Sequence, residues 1–163
     1  MNPKLMCLVV LAVGMILLTG TVNAQTPIRV VTVSGGDVHG DFEKQVVAAL
    51  EARISATTRY ALGNPVDAEL EASVVCFDVS TLARDITGGV CSFSLYYWPH
   101  GLAGLSCLLQ APTLLSSGHA LHIGEEVFEA MVNASTEKEL AKHLSTMKEA
   151  VALYEANKNQ NKH

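Results

Sequence analysis

Two stretches, Leu70-Glu71-Ala72-Ser73-Val74-Val75-Cys76 and Cys91-Ser92-Phe93-Ser94-Leu95-Tyr96-Tyr97, decide how this chain folds. In the first, Leu70, Ala72, Val74 and Cys76 alternate with Glu71, Ser73 and Val75; in the second, Cys91, Phe93, Leu95 and Tyr97 alternate with Ser92, Ser94 and Tyr96. A period of two describes strands with one buried and one wetter face. Paired antiparallel so that residue numbers sum to 167, Cys76 stands opposite Cys91, Val74 opposite Phe93, Ala72 opposite Leu95 and Leu70 opposite Tyr97. A slip of one residue would set apolar side chains against polar ones along the ladder, so burial specifies the register. The connection through Arg84-Asp85 and Gly88-Gly89 is longer than a tight turn.

Upstream, Ile28 to Val33 is a β-branched run that stops at a glycine-rich turn, Ser34 to Gly40. Asp41 is the expected N-cap of a helix reaching about Ala56, with Phe42, Val46, Ala49, Leu50 and Ile54 on its apolar face and Glu43, Lys44, Glu51 and Arg53 mostly on the other. Downstream, a third strand is expected over Leu105 to Gln110, ending before Pro112, and then two helices. The first covers Ile123 to Asn133, burying Val127, Met131 and Val132. The second runs from Thr136 to about Ala156, with Thr136 and Glu139 at capping-box spacing. Its stripe of Leu140, Leu144, Met147, Val151 and Tyr154 is expected to dock on the sheet, because two heptads are short for a coiled-coil dimer.

The predicted fold is α+β: a small antiparallel sheet with an N-terminal strand and helix, a central hairpin, and two C-terminal helices packed on one face. In layout, the strand-helix-strand-strand opening resembles the small α+β domains of bacterial envelope proteins. The likeness carries no shared motif and no functional residue.

Residues 1–24 read as a secretory signal peptide: Lys4, an apolar run from Leu5 to Leu18, then Val22-Asn23-Ala24 as the small-residue cleavage site. The run is shorter than the roughly 20 residues a membrane-spanning helix needs, and no transmembrane segment is expected after its removal. Residues 25–156 form one expected domain, followed by a disordered tail, 157–163. Losing Lys4 leaves ten cationic residues against sixteen acidic ones, a net charge of −6. Nucleic acid and anionic membrane surfaces are poor partners for such a chain. The expected location is the periplasm or the extracellular space, with the low cysteine density favouring the periplasm. Asn133-Ala134-Ser135 is a sequon with meaning only in a glycosylating host.

Three cysteines follow the signal. The register favours a Cys76–Cys91 disulfide, leaving Cys107 free; Cys107 paired with either of the others, and three free thiols, are the alternatives. His119-x-x-His122 with Glu126 could hold a divalent metal if all three lay on one helix face, although two solvated histidines near a helix start explain the same residues. The glycines at 35, 36 and 40 match no phosphate-binding pattern, and no nucleophile sits in a G-x-S-x-G context. No motif implies a cofactor. Tyr96 and Trp98 lie on the face opposite Tyr97, under a covering layer or at a binding surface.

By elimination, the expected function is that of a non-enzymatic exported domain binding a protein or envelope component through Tyr96 and Trp98. The alternative is a metal-dependent binder or enzyme centred on His119, His122 and Glu126. A third possibility is a homodimer joined through Cys107 or the C-terminal helix.

Overall fold

The computed structural model describes residues 28–36, 40–79, 82, 87–102 and 104–160. Residues 1–24, expected as a signal peptide, His39, Arg84-Asp85 and the end of the expected tail, 161–163, lie outside them. The order of elements is β1 (Arg29–Gly35), α1 (Asp41–Ser55), β2 (Tyr60–Leu62), β3 (Leu70–Asp78), β4 (Gly89–Tyr97), β5 (Cys107–Ser117), α2 (Ala120–Ala134) and α3 (Glu137–Gln160). Among the described residues no helix is long and apolar enough to cross a membrane.

The fold is α+β, with β3 and β4 antiparallel in the register that pairs Leu70 with Tyr97 and Cys76 with Cys91. The sheet as a whole is mixed instead of antiparallel. Its strand order is β2-β1-β3-β4-β5, and β1 runs parallel to both of its neighbours. The cause is α1: a helix that returns the chain along the sheet brings it back to the starting end, so the next strand runs in the same direction. β5 also differs from expectation, because it continues through Pro112 to Ser117. The ladder with β4 jumps from Phe93 opposite Thr113 to Leu95 opposite Gln110, so Ala111 and Pro112 together face Ser94. A bulge on an edge strand tolerates the missing N–H of proline.

One sheet face carries Val31, Leu70, Ala72, Val74, Cys76, Cys91, Phe93, Leu95 and Tyr97, all buried against Phe42, Val46, Leu50 and Ile54 of α1 and Ile123, Val127 and Met131 of α2. The two helices meet closely at Gly124, where an added Cβ would lie 2.6 Å from the Ala49 Cβ and 3.1 Å from the backbone of α1. The Cys76–Cys91 disulfide closes inside this layer, with the Cα atoms 4.0 Å apart.

Gly40, not Asp41, is the N-cap of α1. Glu43 faces inward instead of toward solvent and is 3% exposed. β1 ends at Gly35, opposite Val74, so the Cys76 N–H of β3 has no ladder partner on that side; Glu43 Oε2 accepts it at 2.8 Å. Gly35 leaves room for this, since a Cβ there would come within 2.9 Å of Glu43 Oε1.

At the other end of the sheet the buried Arg29 guanidinium donates to Glu69 Oε1 at 2.7 Å and to Glu137 Oε1 at 2.6 Å, tying the first turn of α3 to β1. Burial alone would lower the Arg29 pKa, but the hydrogen bonds to Glu137 and Glu69 outweigh it and hold the value above the ordinary one. Thr136 Oγ1 caps α3 by accepting the Glu139 N–H at 3.3 Å. The helix then continues through Gln160, so residues 157–160, expected as part of a disordered tail, are helical. Asn, Lys and Gln are compatible with a last helical turn, and Lys158 complements its negative end.

Candidate binding face

All three helices use the same side of the sheet, and no described helix packs on the other side, although Thr32 and Ser94 there are buried. Strand alternation assigns Thr32 and Ser34 of β1 to this open face, with Glu71, Ser73, Val75 and Phe77 of β3. From β4 and β5 come Ser92, Ser94, Tyr96, Leu108 and Leu114. The β3–β4 pairing runs one step past β4, where the Trp98 N–H donates to the Glu69 carbonyl at 2.8 Å. Trp98 is thereby placed on the same side as Tyr96.

The open face has three bands. Ser34, Ser73 and Ser94 stand side by side across β1, β3 and β4, since Ser34 pairs with Ser73 and Ser73 with Ser94. Their short side chains make a low hydroxyl-lined strip. On one side of it rise Val75, Phe77 (53% exposed) and Leu114 (74% exposed). On the other rise Tyr96, Trp98 (38% exposed) and Leu108. Isolated apolar side chains are ordinary on a protein surface, whereas banks of them sharing one face are less so.

Glu71 organises the aromatic band. Its Oε1 accepts the Ser34 hydroxyl at 3.2 Å and its Oε2 accepts the Trp98 indole N–H at 3.2 Å, so one carboxylate links β1, β3 and the end of β4. The indole is held with its polar edge satisfied and its ring partly open to solvent. Trp98 also walls a shallow pocket of about 230 Å³ with Pro65, Val66, Pro99, His100 and Leu102.

The histidine constellation does not assemble. His122 Nε2 and Glu126 Oε1 are 3.1 Å apart on the exposed side of α2. His119, however, is the N-cap, with extended backbone at φ −129°, so the helical spacing that would align it with His122 does not apply. Among the described residues no three His, Cys, Asp or Glu side chains are grouped to hold a metal ion. Cys107 is free and half-buried, and burial pushes its thiol up. A raised value keeps it in the less reactive protonated form.

Parity along β4 was enough to foresee the placement of Tyr96 and Trp98. Sequence reasoning missed Glu71, Phe77 and the serine strip. Ser73 opposite Ser94 follows from the same register, but the Ser34 position depends on the parallel pairing of β1, which has no local signal.

The chain matches no protein-family model, none of the curated proteins and no solved structure.

Proposed function

We propose that this is an exported, non-enzymatic binding domain of the periplasm or extracellular space, and that the open sheet face receives a protein or another envelope component. One observation carries the reading: Trp98 and Tyr96 lie on a face that no described helix covers, with the indole fixed by Glu71 and the backbone by Glu69. Tryptophan and tyrosine dominate the energetics of interfaces, and a side chain already held in place loses less entropy on binding. The apolar banks around a hydroxyl strip suit a partner surface of mixed polarity. The signal-like segment 1–24 and the Cys76–Cys91 disulfide support an oxidising, exported location.

A photo-crosslinking amino acid placed at Tyr96 or at Phe77 in producing cells is expected to yield adducts of discrete mass. The same probe at Ala52, exposed on α1, should yield none. Trp98→Ala should abolish the adducts, as expected for a hot-spot side chain whose removal weakens binding by more than about tenfold. Adducts forming equally from Ala52, or none from either face position, would overturn the reading. Cell fractionation with intact-mass measurement tests export separately, through loss of residues 1–24.

A further inference from the structure

α3 leaves the sheet before it ends. Leu140 is 2% exposed and Leu144 packs on the core, whereas Tyr154 is 65% exposed and every side chain from Ala152 to Lys158 faces solvent. The stripe expected to dock along its whole length therefore docks only at its start. Where helix and sheet part, Leu105, Met147, Ala150, Val151, Tyr154 and Glu155 line an open apolar groove of about 630 Å³.

We propose that this groove is filled by α3 of a second copy of the chain, packed antiparallel about a two-fold axis; the seam alone is short for a coiled coil, and Leu105 at the groove extends the apolar contact. The charges on α3 argue for a second copy. Lys148 and Glu155 are seven residues apart, about two turns or roughly 10.5 Å along one flank of the seam. Neither makes an ion pair among the described residues. An antiparallel pair brings this flank against itself. With Val151 set against Tyr154 of the second copy, Lys148 stands across from Glu155 of the second copy, and two-fold symmetry repeats the contact. The other flank offers Ala150 and Asn157, short and uncharged, which permit close approach. A parallel pair would set Lys148 and Glu155 against His143, Ala150 and Asn157, leaving both charges without an opposite partner. A surface complementary to itself in this way is what a closed dimer requires.

Sedimentation equilibrium of the purified protein over a concentration series tests the arrangement. A monomer–dimer equilibrium is expected. Lys148→Glu and Glu155→Lys should each raise the dissociation constant about tenfold, because two symmetric attractions become repulsions. The double reversal should restore it, and a mixture of the two single variants should associate more tightly than either alone. Both positions are exposed, so the folds should remain intact by circular dichroism. A monomer at every concentration, a dimer indifferent to either reversal, or a double variant no tighter than the singles would overturn the proposal.

Discussion

The carboxylate of Glu43 on α1 takes the place of a strand at the end of β1, accepting the Cys76 N–H that β1 is too short to reach. Helix, sheet and disulfide are joined at this one contact, since Cys76 also carries the bond to Cys91. Glu43→Ala would leave the N–H buried and unpaired. It is expected to cost about 1–3 kcal/mol in urea denaturation, whereas Glu43→Gln, which keeps an acceptor oxygen, should cost clearly less.

The disulfide spans a sequence separation of 15 residues. By loop-closure reasoning its loss should cost about 3 kcal/mol. A Cys76→Ala/Cys91→Ala double variant is therefore expected to show a lower denaturation midpoint. Any effect through the unfolded state should leave the Trp98 and Tyr96 environment, read by fluorescence of the folded protein, unchanged.

Gly124 sits where α2 crosses α1. Gly124→Ala should destabilise by about 1–3 kcal/mol, even though alanine is the better helix former, because the added methyl meets Ala49 and the α1 backbone. Combining it with Ala49→Gly removes one of these clashes and should recover part of the loss. Thermal denaturation of the three variants measures both effects.

Alkaline pH should weaken the fold through Cys107 and Tyr97. Burial pushes the Cys107 thiol up, and burial followed by the Glu69 charge does the same to the Tyr97 phenol. Both groups ionise more readily in the unfolded chain, so the unfolded state binds fewer protons there. Their contribution is whole below the ordinary thiol and phenol ranges and is lost as pH rises through the raised folded values. Denaturation free energies measured upward from about pH 8 should therefore fall, with a shallower decline for Cys107→Ala.

The β3–β4 register was legible because its alternation is strict and every buried residue meets another. The three-residue β2 offered no period to read, and with it went the parallel half of the sheet. Pro112 read as a strand stop, yet an edge position and a bulge accommodate it. Glu43 read as a solvent-facing acid because a helical wheel registers spacing and not the orphan N–H on the adjoining sheet. The expected grouping of His119, His122 and Glu126 assumed a shared helix face, whereas His119 is the N-cap of α2 and, among the described residues, no such group of three is formed. The open face was half legible: strand parity separated Tyr96 from Tyr97, but the absence of a covering helix is a tertiary property.

The first strand made, β1, ends up inside the sheet, between β2 and β3. β1 emerges during synthesis before either of its neighbours exists, and β3, which pairs with it, follows only after a helix and another strand. The later hairpins of β3, β4 and β5 can zip through nearby contacts, while the valine-rich Arg29–Gly35 segment waits with both edges unpaired. The first-made strand is thus expected to be among the last locked in. A carrier that shields it until Asp78 has been delivered would protect the nascent protein at its most adhesive point.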